Sequence, residues 1–180
     1  LSGVVDVEEA GSGIPGWVLL GDRQGEFLGR AVEVPGDVDG DGIGDLLLGA
    51  SNIYGALPGA AYLVRGGPSA PPSSISEAVA AARAVRFVGR EQWSSTGDAL
   101  ASPGDLNRDG LADLAIGAPS GAGQVYIVYG RSDFPQEVPL EDIASAGLGV
   151  ILRGEGQDAA GSSLSALRYG ADEDLDIVIG

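Results

Sequence analysis

The 180-residue chain contains no cysteine, no histidine and no lysine. Without cysteine it has no disulfides, which excludes cysteine-stapled calcium repeats but leaves the cellular compartment open. Without histidine and cysteine, the commonest general base, the Ser-His-Asp arrangement and the cysteine nucleophile are all missing. We therefore expect this chain not to be an enzyme.

The charge balance is strongly acidic. The formal net charge is −16, and the ten cations are all arginines that stand singly along the chain. Nucleic acid is therefore not an expected partner, because it binds basic stripes. The chain has no apolar run of about 18 residues, so we expect no membrane span. Abundant glycine and alanine with no lysine are typical of a G+C-rich bacterial gene.

Two acidic segments carry the clearest chemical signal: DVDGDGIGD at 37–45 returns at 105–113 as DLNRDGLAD. Oxygen side chains alternate along both, and a glycine at the sixth position lets the chain turn so that the next carbonyl can ligate. Such clustered carboxylates repel one another unless a cation neutralises them. We predict two calcium sites, formed by Asp37, Asp39, Asp41, Asp45 and the Ile43 carbonyl, and by Asp105, Asn107, Asp109, Asp113 and the Leu111 carbonyl.

Neither segment is an EF-hand, because Leu48 and Ile116 stand where an EF-hand has its bidentate glutamate. A short apolar run closed by glycine follows each segment, at 46–50 and at 114–118. We interpret both runs as buried strands, which places the acidic loops between strands.

The whole chain is repetitive: residues 5–21 align with 138–154, and an intermediate copy ends at Gly89. Each unit predicts four short strands separated by turns, which is one propeller blade. The predicted strands are 17–21, 30–34, 46–50 and 59–64, then 85–89, 98–102, 114–118 and 123–129, then 150–154. We predict an all-β chain of antiparallel four-stranded blades, with repeats at about 5–70 and 71–137 and a partial repeat at 138–180.

Phe27-Leu28-Gly29 before the first loop and Gly117-Ala118-Pro119 after the second resemble the FG-GAP repeats of the integrin α-subunit β-propeller and of its bacterial relatives. The resemblance covers essentially the full chain. It implies that each repeat is one blade, that a calcium loop joins two inner strands, and that a closed ring has about seven blades. Residues 49–51 lack the proline and residues 95–97 lack the phenylalanine, but neither change touches a predicted ligand.

The third repeat is degenerate, since its loop is one residue shorter and has no aspartate at the first position. Asp172, Asp174 and Asp176 could form a weakened site, but we expect an empty acidic turn. The roughly 2.7 repeats are fewer than the four or more that a closed propeller needs. We therefore expect an incomplete ring, completed by the rest of a longer polypeptide or by another subunit.

The segments between the predicted blades run from 5 to 16, from 66 to 83 and from 138 to 149. We expect each to cross from the outer edge of one blade to the inner strand of the next. Residues 66–74 are a Pro/Ser-rich excursion, and residues 76–83 predict a helix that starts at a serine. Five aromatic residues could form a sugar-stacking platform, but we expect most of them to pack between blades: Trp17, Tyr62, Trp93, Tyr126 and Tyr129.

The resemblance implies a calcium-stabilised module that binds a protein or glycan ligand through loops on the face away from the metal loops. Loops of this kind need millimolar calcium, which favours an extracellular, secreted or cell-surface location. Two other functions remain open: a structural scaffold that self-assembles at a surface, and the propeller portion of a secreted polysaccharide lyase or phospholipase.

Overall fold

The computed structural model describes residues 16–52, 57–168 and 175–180. The chain is all-β there except for one short helix, α1 (Ile75–Ala80), and a 3₁₀ turn at Leu140–Asp142. The first sheet contains β1 (Val32–Gly36), β2 (Asp45–Ala50), β3 (Ala60–Val64), β4 (Ala84–Val88) and, at its edge, β8 (Glu137–Pro139). The second contains β5 (Leu100–Gly104), β6 (Asp113–Ala118), β7 (Gln124–Val128) and β9 (Gly149–Arg153). A third pairs β10 (Leu164–Leu167) with β11 (Asp176–Ile179).

The fold class predicted from the sequence is confirmed. In each of the first two sheets, four strands pair antiparallel in a simple meander, which is the architecture of a propeller blade. The inner edge strands β1, β5 and β10 lie side by side. The described residues thus form two blades and part of a third, and they do not close a ring.

In the first sheet the fourth strand, β4, follows the Pro/Ser-rich segment and α1. In the second sheet the fourth strand, β9, follows the acidic segment after β8. β4 pairs with β3 from Ala60↔Val88 to Val64↔Ala84, and β9 pairs with β7 in the same way. The expectation that 66–83 and 138–149 cross between blades is therefore wrong, because these segments join neighbouring strands of one sheet. The crossing is made instead by the residues between β4 and β5. Residues 17–21 form no strand in the described chain beyond a single bridge from Leu20 to Ser74.

Both faces of the central strands β2, β3, β6 and β7 are buried, which explains their continuous apolar runs. On β3, Leu63 belongs to the core between the two sheets, whereas its neighbour Tyr62 belongs to a separate core under α1. The core between the sheets joins residues from both of them: Leu47, Ala61, Leu63, Val85 and Phe87 with Leu100, Leu114, Ile116, Tyr126 and Val128. This side-to-side packing of blades provides most of the buried apolar surface.

The segment between β7 and β9 ties the two blades together. Its strand β8 pairs parallel with β4, so one blade lends a strand to the edge of the other. Phe134, Leu140 and Ile143 of the same segment are buried in the core between the sheets. The ring of Phe134 packs edge-on against Phe87, with centroids 5.5 Å apart.

Helix α1 begins one residue earlier than predicted and ends at Ala80. The oxygen of Ser74 accepts the backbone N–H of Glu77 at 3.4 Å, so Ser74 caps the helix. The predicted cap, Ser76, is instead held by Asp22, which accepts both its N–H and its hydroxyl. The helix stops before the predicted end because Ala82 adopts a left-handed φ of 55°.

The glycines of the repeat motif make backbone contacts both within a blade and between neighbouring blades. Within a blade, the N–H of Gly97 donates to the carbonyl of Gly117 at 2.8 Å, and the equivalent bond joins Gly29 to Gly49 at 2.9 Å. A Cβ on Gly49 would overlap the carbonyl oxygen of Gly97 in the next blade. A Cβ on Gly117 would overlap the carbonyl of Gly161 in the same way. Only glycine at these strand positions lets the two backbones approach this closely.

The phenylalanine position of the motif has a backbone role that other residues can also serve. Phe27, Ser95 and Ala159 all adopt left-handed φ angles, of 54°, 53° and 54°. Each accepts an N–H three residues later, which closes the same tight corner in all three repeats. The missing phenylalanine in the second repeat therefore leaves the corner unchanged.

We predict that Gly49→Ala destabilises the fold by about 3 kcal/mol or more, because the new methyl group meets rigid backbone rather than a movable side chain. Gly44→Ala is the matched control, since a Cβ there makes only ordinary contacts at 4.0 Å. We expect that control to stay within about 0.5 kcal/mol of wild type. Urea unfolding measures both changes, and equal losses in the two variants would contradict the backbone contact between blades.

Candidate metal centre

The two acidic loops form the β1–β2 and β5–β6 turns and lie next to each other. The N–H of Ala112 in the second loop donates to the carbonyl of Asp37 in the first at 2.9 Å. Each loop is entered through a Pro-Gly pair, 35–36 and 103–104, and the strand register shifts there. Both glycines of these pairs are left-handed, with φ of 99° and 76°. The bulge turns the chain out of the sheet before the first aspartate.

The first aspartate of each loop organises the turn. Asp37 accepts the N–H groups of Gly40 at 2.7 Å and Gly42 at 2.9 Å. Asp105 accepts those of Asp109 at 3.0 Å and Gly110 at 2.7 Å. The glycines at the sixth position, Gly42 and Gly110, have φ of 84° and 93°. The two loops therefore share one backbone frame although their sequences differ.

The last aspartate of each loop anchors it to the third strand of its blade. Asp45 accepts the N–H of Gly66 at 2.8 Å and that of Val38 at 2.9 Å. Asp113 accepts the N–H groups of Gly130 at 2.8 Å and Leu106 at 2.7 Å. Gly66 and Gly130 each lie two residues after the end of β3 and β7, so each carboxylate joins the loop to a strand that is distant in sequence.

Both anchoring carboxyls are almost completely buried, at 2% and 0% exposure. Burial raises the pKa of Asp45 and of Asp113, although the backbone N–H groups act in the opposite direction. The nearby carboxylates of the same loops raise the pKa further. A positive charge placed in the loop would remove this penalty and favour the ionised forms.

The structure brings three of the predicted ligands of the first loop together. One carboxylate oxygen each from Asp37, Asp39 and Asp45 lies within 4.8 Å of the others. Asp41 and Ile43 lie on the exposed rim, where the Asp41 carboxylate accepts the N–H of Ile43 at 2.8 Å. The converging donors are all oxygens, so the residues present fit a hard divalent cation.

The second loop repeats the arrangement with an amide at the third position. Asn107 Oδ1 accepts the N–H of Asp109 at 3.1 Å, as Asp39 Oδ1 accepts that of Asp41 at 3.2 Å. The Asn107 amide group also donates to Asp109 Oδ2 at 2.8 Å. Leu111, whose carbonyl is the predicted backbone ligand, donates its N–H to Asp109 Oδ1 at 2.9 Å.

The predicted third site lies mostly outside the described residues, which include neither Asp172 nor Asp174. Asp176 is described as the first residue of β11 and is exposed. Its counterparts Asp45 and Asp113 are buried, because a third strand of their blade covers each of them. The third site therefore stays a prediction.

The sequence analysis missed three contributors to the loops: Gly66, Gly130 and Arg65. Arg65 Nε lies 3.5 Å from Asp39 Oδ2. The two glycines were detectable in principle, because they follow an apolar strand at the same place in both repeats. Their role depends on backbone N–H groups, and a sequence pattern does not show where these point.

The aromatic residues divide into two groups. Tyr126 is buried in the core between the sheets as expected, and its hydroxyl donates to Glu141, whereas Tyr62 is buried in the core under α1. Burial is the main reason why the pKa of Tyr126 lies far above its ordinary value. Trp17 and Trp93 are instead 46% and 55% exposed, and neither lies on a strand. The expectation of packing between blades is wrong for these two.

The helical parts of the described chain are too short and too polar to cross a lipid bilayer.

We predict that Asp113→Ala, measured in chelator, costs about 2 kcal/mol or more, because two backbone N–H groups lose their acceptor. Asp113→Asn keeps one acceptor and removes the buried charge, so we expect less than half that loss. Asp109→Ala, on the exposed rim of the same loop, is the control and should change stability by about 0.5 kcal/mol or less. Denaturant unfolding gives all three values. Similar losses for Asp113→Ala and Asp109→Ala would refute the anchoring role.

Comparison with known proteins agrees with this geometry. The FG-GAP repeat model matches residues 97–128, which run from the glycine corner through the second acidic loop to the end of β7. The chain is 30% identical to integrin alpha pat-2 of Caenorhabditis elegans over 141 residues, which are 71% of the chain and 11% of the relative.

Two mammalian relatives match in the same way. Integrin alpha-3 of Mus musculus is 32% identical over 173 residues, which are 91% of the chain and 15% of that protein. Integrin alpha-7 of Rattus norvegicus is 37% identical over 125 residues, 66% of the chain and 10% of that protein. The chain thus spans only a small part of the length of these relatives. It is a member of the FG-GAP repeat proteins, and its repeats are of the integrin α type.

Proposed function

We propose that this chain is a calcium-stabilised β-propeller segment that acts as an extracellular module for binding a macromolecular ligand, either a protein or a glycan. The observation that carries the calcium part is the shared frame of the two acidic loops. Each frame buries a carboxylate that accepts two backbone N–H groups, and the first frame also brings three carboxylate oxygens within 4.8 Å of one another. Calcium, with its preference for six to eight oxygens, suits this donor set.

Calcium would stabilise the fold without taking part in chemistry. The first loop would hold the ion through Asp37, Asp39, Asp41, Asp45 and the Ile43 carbonyl, and the second through the equivalent groups at 105, 107, 109, 113 and 111. Because each loop joins two inner strands and is anchored to a third, an ion there would hold one end of a blade together. At a hundredfold excess over its dissociation constant, one bound ligand contributes roughly 2.7 kcal/mol.

The ligand-binding face in this proposal is the end of the blades opposite the acidic loops. The antiparallel order of β1 to β4 places the turn between β4 and β5 at that end. Trp93 stands in this turn with a left-handed φ of 65° and a largely exposed side chain. Exposed tryptophan is a frequent anchor for protein partners and for sugar rings, because it contributes a large rigid surface.

Further blades, from the same polypeptide or from another subunit, are the proposed partners of the open edges. Gly49 and Gly117 each meet the corner glycine of the following blade, whereas a Cβ on Gly29 would meet nothing in the described chain. The β1 edge also exposes Val34 at 71%. The same edges support the second candidate function, a self-assembling scaffold. A lyase or phospholipase would need catalytic groups beyond this chain, which has no histidine and no lysine.

We predict that calcium raises the melting temperature of the chain and that chelation lowers it. Asp41→Ala should remove most of the calcium response of the first blade, whereas Asp174→Ala in the degenerate repeat should change little. Thermal melts of wild type and both variants, each with calcium and with chelator, test this. Identical wild-type melts in the two conditions would refute the calcium role, and equal losses in the two variants would refute the difference between the loops.

We also predict that Trp93→Ala weakens ligand binding by about tenfold, in line with the cost of truncating an aromatic anchor. Trp17→Ala is the matched control, because Trp17 is similarly exposed but lines a cavity with Ile43 and Asp45 at the acidic-loop end. The full chain is applied to immobilised glycans and extracellular-matrix proteins with calcium present. Retained binding by the Trp93 variant together with loss by the Trp17 variant would place the ligand at the wrong end of the blades.

A further inference from the structure

The two acidic loops carry different numbers of carboxylates, and the residue that follows the third strand of the blade is also different in the two repeats. The third loop position is Asp39 in the first loop and Asn107 in the second. The residue after the third strand of the blade is Arg65 in the first and Tyr129 in the second. These two are structural equivalents, because the N–H of Arg65 donates to the Arg83 carbonyl and that of Tyr129 to the Leu148 carbonyl, both at 2.9 Å.

Arg65 directs its charge at the extra carboxylate. Its Nε lies 3.5 Å from Asp39 Oδ2, and Asp39 is only 7% exposed. This Nε is itself buried and makes no hydrogen bond in the described structure, so the contact is one of charge. The other oxygen of Asp39 accepts the N–H of Asp41 at 3.2 Å. Asp39 is thus shared between its own loop and the guanidinium group.

Arg65 offsets part of the charge of the first loop. The first loop carries carboxylates at 37, 39, 41 and 45, whereas the second carries them only at 105, 109 and 113 and also contains Arg108. Four carboxylates and Arg65 leave the first assembly at −3, whereas three carboxylates and Arg108 leave the second at −2. In the second blade the uncharged Tyr129 stands where the first blade has Arg65. The Asn107 amide group donates a hydrogen bond of 2.8 Å to the Asp109 carboxylate.

We propose that Arg65 is a tethered counter-cation of the first loop, which neutralises Asp39 when no metal is bound and weakens calcium binding there. The inference rests on the calcium sites of the proposed function. A bound ion would have to share Asp39 with a guanidinium of the same sign, and the repulsion between the two raises the calcium concentration at which the loop fills. The same charge stabilises the empty loop, because it relieves the repulsion among the carboxylates.

The test measures calcium binding to the full chain by calorimetry in an Asp109→Ala background, which disables the second loop. Arg65→Gln should tighten binding at the first loop by about tenfold, because a nearby positive charge is removed. Arg65→Lys keeps the charge and should bind within about twofold of the Arg65 protein. The effect of Arg65→Gln should shrink in about 1 M salt, where the screening length falls to about 3 Å.

Thermal melts separate this role from a merely structural one. In chelator, Arg65→Gln should melt below wild type, while its calcium-induced rise in melting temperature should be larger. A residue that only packs would lower the melting temperature in both conditions and leave the calcium affinity unchanged. Asp39→Asn combined with Arg65→Gln removes one carboxylate together with the arginine that faces it, and it should return the calcium affinity to within about threefold of wild type.

The reverse substitution is made in the second loop, in an Asp41→Ala background that disables the first loop. Asn107→Asp adds a carboxylate at the position equivalent to Asp39, in a blade where Tyr129 stands in place of Arg65, so it should tighten calcium binding and lower the melting temperature in chelator. If the Asp109→Ala chain binds no calcium at all, both the proposed function and this inference are refuted. If it binds calcium but Arg65→Gln and Arg65→Lys have the same affinity, only the role of Arg65 is refuted.

Discussion

Neighbouring blades meet backbone to backbone at the motif glycines, and the spacing set there controls the packing of everything between them. Because Gly49 and Gly117 carry no side chain, the corner of the next blade lies directly on the strand. At this distance Leu47, Leu63 and Phe87 of one sheet share a core with Leu114 and Tyr126 of the other. A larger residue at either glycine would separate the sheets and open voids along the whole interface.

The acidic loops are coupled to this packing through their last aspartates. Asp45 and Asp113 each accept one N–H from their own loop and one from the chain after the third strand, so the loop, the second strand and the third strand form one unit. Burial destabilises the ionised forms of these carboxylates, and a nearby cation would offset that cost. Binding energy gained by a cation at the loop would therefore stabilise the strand pairing, which would connect the proposed metal to stability rather than to reaction chemistry.

The two ends of a blade differ in the groups that they carry. One end holds the carboxylates, Arg65 and the backbone anchors, where geometry is specified closely by hydrogen bonds. The other end consists of tight corners with left-handed residues such as Ser95, and in one of them Trp93 is exposed while Thr96 is buried.

Sequence spacing alone was enough to predict the all-β class, the acidic loops and the strands that follow them, because side-chain alternation and loop chemistry are local properties. It placed β4 in the wrong blade, however, since strand pairing depends on which edge the returning chain can reach rather than on the repeat period. It also placed the helix cap at Ser76, although Asp22, which is distant in sequence, decides between the serines. The roles of Gly66, Gly130 and Arg65 were set only by the tertiary structure, because each acts across strands on a carboxylate far away in the chain.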